Sequence, residues 1–354
     1  MKRHLVMSAL ASIAIACGGG ASENPSPATP ATNDTSPKSS STANTPGTGS
    51  STAPGPMEGP TAKPSSDDVS KGIAAMKKGD WNGARDAFEA AIKKNPKQAD
   101  AHHYLGVVME KTGDRAAAKK HYEDAVAADP NLQEAAVNLV AMNIEDKKWD
   151  DAITLAKKVL TKDTKNAAMH LNLAVALAGK GDQPAATKSF EDAIKLEANK
   201  PDYYITYAQY LTQWNKRDEA LAALKKAQAT AGDDPGTLAG IAIEFKNLKA
   251  YDACISAMDK AIAAKDAAEL RVYRGHCKLG QKDLPGALAD FQEAVKKEPN
   301  SAPPHYSLGN ALADSGKFAE AIAEWETYLK IAPTGPFAKN AEAKIKVAKS
   351  KMKK

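Results

Sequence analysis

The chain has 354 residues, of which 43% are hydrophobic and only 6% aromatic, a mixture that favours amphipathic helices over β-sandwiches rich in Val, Thr and aromatic side chains. The formal net charge is +5, but the excess is confined to Lys2 and Arg3 and to the last 19 residues, which hold seven Lys and one Glu. The body of the chain is therefore mildly acidic, which argues against a nucleic-acid interface.

Residues 1–16 predict an export signal. Lys2 and Arg3 precede a short apolar run, Leu5 to Ala16, which would cover about 18 Å as a helix and is too short to span a bilayer. The stretch "AIAC" ending at Cys17 resembles a bacterial lipobox, and this resemblance implies cleavage before Cys17 and lipidation of its thiol. Plain secretion is the alternative, because Ala-x-Ala is also an ordinary signal-peptidase site. Gly18 at the next position would imply the outer membrane, facing the periplasm.

Residues 17–64 predict a disordered tether that follows the lipidated Cys. The segment consists mainly of Ser, Thr, Pro, Ala, Gly and Asn, and Met57 is its only large apolar side chain. Such a segment cannot bury enough apolar surface to offset the entropy lost on ordering. As a flexible coil it would reach about 40 Å on average, so it would hold the rest of the chain away from a membrane surface.

From residue 65 the sequence repeats itself. "GDWNGARDAFEAAIKKNP" ends at Pro96, and "GDRAAAKKHYEDAVAADP" has the same pattern 34 residues later. Stepping by 34, with the sixth unit one residue short, defines eight units that end at Gly335 and begin at Ser65, Ala99, Gln133, Ala167, Pro201, Pro235, Ala268 and Ala302. Pro falls at unit ends or in the first turn of a helix, where it is tolerated. Each unit therefore predicts two helices joined by a short turn.

Small residues at positions 8 and 20 of a unit, with an aromatic residue at position 24, would let the two helices approach closely. Gly106, Ala118 and Tyr122 are such a set. A single helix pair cannot cover its apolar stripe, so neighbouring pairs are expected to stack into an all-α solenoid. Residues 336–354 place Phe337 and Ile345 on one stripe with Lys residues opposite. This pattern predicts a basic helix that caps the last unit.

The pattern of Leu-Gly, Ala, Phe or Tyr, Ala and Pro, seen with Leu105-Gly106 and Leu308-Gly309, resembles that of tetratricopeptide repeats. The resemblance covers about 270 residues and implies a right-handed α-solenoid whose first helices line a concave groove. Positions 2, 5, 9 and 12 would face that groove, and the apolar residues there are expected to bind a partner segment: Val69, Ile73, Met76, Val107, Val137, Ala141, Ile144, Leu171, Val175, Ile205 and Ile243. Alternatively, neighbouring helices crowd these side chains into the core.

Cys254 and Cys277 lie at position 20 of unit six and position 10 of unit seven. Antiparallel stacking would place these two levels opposite each other across the junction of the units. In an oxidising compartment the two thiols could form a disulfide. Two separate buried thiols are the other interpretation, because Cys fills small apolar sites readily.

Motifs for catalysis, metal binding or cofactor binding do not stand out in the sequence. It lacks HExxH, CxxC pairs and GxSxG. The stretch "GHCKLGQK" has the glycine spacing of a P-loop, but Gln281 occupies the place of the essential Lys and no strand precedes it. His102 and His170 occupy position 4 and are expected in the core or at its rim. We therefore expect no enzyme activity, no cofactor, no metal and no small-molecule substrate.

Two classes of function remain open. The first is a lipid-anchored scaffold or adaptor that docks a protein partner of the cell envelope, as part of an assembly, motility or secretion machinery. The second is a binder of a glycan or peptidoglycan, for which Tyr203, Tyr204, Tyr207 and Tyr210 are the only aromatic cluster. At helical spacing such rings more often pack against each other, which favours the scaffold. A structural spacer is a further alternative.

Overall fold

A computed structural model describes residues 66–353, and within this range it contains 17 α-helices and no strand. The helices are α1 Asp67–Lys78, α2 Trp81–Lys94, α3 Ala99–Thr112, α4 Arg115–Ala128, α5 Gln133–Glu145, α6 Trp149–Leu160, α7 Ala167–Lys180, α8 Gln183–Leu196, α9 Pro201–Gln213, α10 Arg217–Thr230, α11 Pro235–Asn247, α12 Tyr251–Ala264, α13 Ala268–Gly280, α14 Leu284–Lys297, α15 Ala302–Asp314, α16 Phe318–Ile331 and α17 Ala338–Lys351. Across these helices, none combines the length and apolarity needed to cross a bilayer. The predicted signal peptide, lipidated Cys17 and tether lie outside the described residues.

The helices pair as the repeat register predicts. Each unit holds one odd-numbered and one even-numbered helix, and these two pack most extensively against each other. The second helix of a unit then packs on the first helix of the next unit, while successive first helices also touch. The all-α solenoid of helix pairs is therefore confirmed.

The Gly-Asp dipeptides of the repeat form the turns between paired helices. Gly79, Gly113 and Gly181 have φ values of 78°, 89° and 91°, in the left-handed region where Gly is favoured over other residues. The Asp that follows is the N-cap of the second helix, where its carboxylate accepts a hydrogen bond from a main-chain N–H. For Asp80 the donor is Gly83 N at 2.9 Å, and for Asp114 it is Ala117 N at 3.1 Å. One dipeptide therefore ends a helix and starts the next.

The Gly at position 8 gives the aromatic ring at position 24 its space. A Cβ atom added to Gly106 would lie 2.6 Å from Tyr122 Cε1, and one added to Gly275 would lie 2.5 Å from Phe291 Cε1. Tyr122 and Phe291 are both fully buried. The close approach of the two helices therefore depends on the missing side chain, as the repeat pattern predicts.

The helix α17 packs on α16 at the end of the array. Ala341 and Ala348 are buried on its inner stripe, whereas Val347 is 55% exposed. Just before the helix, the ring of Phe337 stacks on Tyr306 with a centroid distance of 4.6 Å. The last helix thus covers apolar surface of the eighth unit.

Candidate functional site

The eleven side chains expected to line a partner groove divide into two groups in the structure. Four are partly buried: Met76, Val107, Ile205 and Ile243. Seven are buried: Val69, Ile73, Val137, Ala141, Ile144, Leu171 and Val175. Of these seven, all but Ala141 belong to the hydrophobic clusters that form the core. The structure therefore does not expose them as an apolar patch, and it corresponds to the alternative in which they contribute to the core. Their use in binding stays a prediction.

Two buried asparagines lie among these apolar residues on the first helices of units three and four. Asn138 in α5 and Asn172 in α7 occupy the same repeat position and are 1% and 0% exposed. The side-chain NH₂ of Asn138 lies 3.2 Å from His103 Nε2, and that of Asn172 donates to the Val137 carbonyl at 3.4 Å. Both Oδ1 atoms are buried without a hydrogen-bond partner. Sequence reasoning treated both residues only as isolated matches to a known clamp, because burial does not follow from a single position.

The cysteines of units six and seven come together across the junction of α12 and α13. Cys254 and Cys277 are 0% and 1% exposed, their Cα atoms are 6.1 Å apart, and the structure joins them as a disulfide. That Cα separation is within the usual range for the bond. The link fastens the sixth helix pair to the seventh.

The tyrosine cluster of unit five packs within the array. The ring of Tyr207 stacks on Phe190 with a centroid distance of 4.9 Å, and Tyr210 contacts the same ring at 5.4 Å. Tyr203 is buried, and the hydroxyl of Tyr204 donates to the Ala198 carbonyl at 3.1 Å. These contacts correspond to the packing rows expected at helical spacing.

One set of potential metal ligands was missed from the sequence. His102, expected in the core or at its rim, is buried and faces His121 and Asp124 of the paired helix. The three ligand atoms lie within 4.8 Å of one another. The available signal was that repeat positions 4, 23 and 26 all carry ligand-type side chains in this one unit.

The fold and these sites define the chain as an array of stacked helix pairs, an architecture that generally serves as a non-catalytic scaffold for protein interactions. Family models described as tetratricopeptide repeat match residues 69–142, 143–210 and 278–345, together more than half of the chain. The chain therefore belongs to the tetratricopeptide-repeat family.

Similar proteins share the repeats. Superkiller complex protein 3 of Mus musculus is 24% identical over 242 residues, 65% of this chain and 15% of that protein. The TPR repeat-containing protein YpiA of Bacillus subtilis is 28% identical over 123 residues, 35% of this chain and 29% of that protein. The chain thus spans less than a third of either relative. The crystal structure of yeast Tom70 has the same fold, with a TM-score of 0.53 and 16% identity over 85% of this chain and 68% of that one.

Proposed function

We propose that this protein is a non-catalytic scaffold that binds an extended segment of a partner protein along its first helices. The observation that carries the proposal is the pair of buried carboxamide oxygens, Asn138 Oδ1 and Asn172 Oδ1, that have no hydrogen-bond partner. A buried acceptor left without a donor costs about 1–3 kcal/mol, so the free protein stores a binding capacity at these two points.

The main-chain N–H groups of an extended peptide are suitable donors for this pair. Asn138 and Asn172 occupy the same position in consecutive units, so they lie at the same level of two adjacent first helices. One segment that crosses both helices could donate to both oxygens, and its side chains would then meet the partly buried apolar residues of neighbouring units. Main-chain recognition of this kind provides affinity, while side-chain contacts provide specificity.

We further propose that the scaffold is a lipoprotein of the bacterial cell envelope, probed through its N-terminal sequence. A lipid on Cys17 and a tether over residues 18–64 would place the repeats at a distance from the outer membrane, facing the periplasm, where the partner would belong to an assembly, motility or secretion machinery. Replacing Cys17 by Ser should move the protein from the membrane fraction to the soluble periplasmic fraction and abolish labelling by a palmitate analogue. Unchanged fractionation would contradict the anchor.

A glycan or peptidoglycan ligand receives less support, because Tyr207 and Tyr210 already direct their rings onto Phe190. The same rings would be needed to stack on a sugar. A structural spacer would make no use of the two unsatisfied carboxamides.

Site-specific crosslinking in the native envelope tests the binding surface. A photoreactive residue at Val107, which is partly buried on α3, should give a discrete adduct with one protein, and a photoreactive residue at the exposed Lys225 of α10 should not. The double replacement Asn138→Ala and Asn172→Ala should abolish that adduct while the helical circular dichroism is retained.

Asn143 provides a matched control on the same helix as Asn138. It is also buried, but its Oδ1 already accepts a hydrogen bond from Lys119 Nζ at 2.8 Å. Asn143→Ala should therefore leave the adduct unchanged. Equal loss of the adduct in both variants, or an adduct that survives the double replacement, would contradict the proposed role of the two unsatisfied oxygens.

A further inference from the structure

Histidine at repeat position 4 is held in the same way in three units. In each case its Nε2 lies about 3 Å from the main-chain carbonyl oxygen six residues earlier: His102 to Pro96 at 3.1 Å, His170 to Thr164 at 3.0 Å and His305 to Pro299 at 2.9 Å. A carbonyl oxygen can only accept a hydrogen bond, so Nε2 must carry the proton. The Nδ1 atom of the neutral ring is then left with its lone pair, and its direction is fixed.

The residue that faces this lone pair differs between units. In unit eight, His305 Nδ1 lies 2.6 Å from Glu324 Oε2, which makes an ordinary ion pair when the ring is protonated. In unit two the corresponding residue is His121, whose Nδ1 lies 3.2 Å from His102 Nδ1. A carboxylate oxygen of Asp124 lies 3.9 Å from the same His102 atom. Two imidazole nitrogens and one carboxylate oxygen therefore converge on one point.

These distances fit a tetrahedral transition-metal ion. Zn–N bonds of about 2.05 Å at the tetrahedral angle place the two nitrogens about 3.3 Å apart, close to the observed 3.2 Å. His121 and Asp124 are three residues apart on α4, so they share one helix face. The hydrogen bond from His102 Nε2–H to a main-chain carbonyl is the usual outer contact of a metal-bound histidine.

We propose that His102 Nδ1, His121 Nδ1 and the Asp124 carboxylate bind one divalent transition-metal ion of the Zn²⁺ type, with water completing the coordination. The donor set of two nitrogens and one oxygen selects Zn²⁺, Co²⁺, Ni²⁺ or Cu²⁺ over the oxygen-seeking Mg²⁺ and Ca²⁺. The ion fastens α3 to α4 within the second unit.

The surroundings keep the ligands ready for a metal. Burial lowers the pKa of His121, the neighbouring His102 lowers it further, and Asp124 opposes the shift. Because metal binding requires the neutral imidazole, no proton has to leave His121 at neutral pH. The nearby charges are Lys120 and Asp114, which act in opposite directions.

The other two units lack the full ligand set. Unit four has Ser189 where unit two has His121, and unit eight has Thr327 where unit two has Asp124. The chain therefore provides its own controls, in which the anchored histidine is present and the metal site is incomplete.

Titration of the full chain, prepared without a polyhistidine tag, tests the site. Calorimetry with Zn²⁺ should show one ion bound per chain, and Co²⁺ should give the visible absorption of a tetrahedral complex. Zn²⁺ should raise the midpoint of thermal unfolding, whereas Mg²⁺ should not. Absence of stoichiometric Zn²⁺ binding, or an octahedral Co²⁺ spectrum, would overturn the proposal.

Variants of the surface ligands separate the site from other histidines. His121→Ala and Asp124→Ala should each weaken Zn²⁺ binding by more than about 10-fold, the loss typical even of outer contacts of a metal ligand. Both replacements fall on the rim of α4, and circular dichroism without metal checks that the helices persist. The control His170→Ala should bind Zn²⁺ as the unmodified chain does. Equal affinity in all three variants would refute the assignment.

Discussion

Gly275 provides a direct test of how the paired helices pack. It lies in α13 and faces the ring of Phe291 in α14, and a Cβ atom added there would come within 2.5 Å of Cε1. Such overpacking costs about 1–3 kcal/mol, whereas an Ala in place of Gly inside a helix gains about 1 kcal/mol through helix propensity. We therefore expect Gly275→Ala to lower the free energy of unfolding by up to about 2 kcal/mol, measured by urea unfolding followed by far-ultraviolet circular dichroism.

Gly240 in α11 is the matched control, because a Cβ atom added there meets nothing within 4 Å. Gly240→Ala should stabilise the protein by about 0.5–1 kcal/mol. Combining Gly275→Ala with Phe291→Leu removes the ring atoms that cause the clash, so in that background the same replacement should be neutral or stabilising. The reasoning is refuted if Gly275→Ala stabilises as much as Gly240→Ala, or costs the same with and without the ring.

Three further predictions concern cross-links and charges. The Cys254–Cys277 disulfide spans 23 residues of sequence and should contribute about 3 kcal/mol by restricting the unfolded chain, so a reducing agent should lower the unfolding midpoint of the native protein but not of the double Ala variant. Asp290 is 2% exposed and accepts two hydrogen bonds from the guanidinium of Arg274, so Asp290→Ala should cost about 3 kcal/mol by leaving that cation half-buried and unpaired, as urea unfolding would show. Burial lowers the pKa of His103 from 6.5 to about 4, so the unfolded chain takes up its proton first as the pH falls. The free energy of unfolding should then drop by about 2 kcal/mol between pH 7 and 4.5, and His103→Gln should reduce that drop.

The fold could be predicted from the sequence because its signals are local and repeat. Gly113 with Asp114 marks a turn without reference to any distant residue, and Pro96 marks the end of a helix in the same way. Recurrence every 34 residues turns these weak local signals into a register for the whole array. The outcome is visible in the bounds, since α2 ends at Lys94 and α3 at Thr112.

The predicted groove side chains show where such reasoning reaches its limit. Repeat position fixes the direction of Val137 or Leu171 around its own helix, but burial also depends on how closely other parts of the chain approach that face. Both side chains belong to the same hydrophobic cluster, so periodicity gave their direction and not their exposure. Asn138 and Asn172 followed the opposite course, because polar residues were not expected to be buried and to retain an unsatisfied acceptor.

The histidines of position 4 show how a repeat can vary chemistry without changing geometry. The main-chain carbonyl orients the imidazole of His102 and His305 alike, so a single residue of the paired helix decides what the free nitrogen meets. With Glu324 it meets a carboxylate, and with His121 it meets a second imidazole. Because the surrounding small and aromatic residues keep the helix spacing constant, each such exchange costs the fold little. A ligand site can therefore arise in one unit of the array while its neighbours keep an ordinary polar contact at the same place.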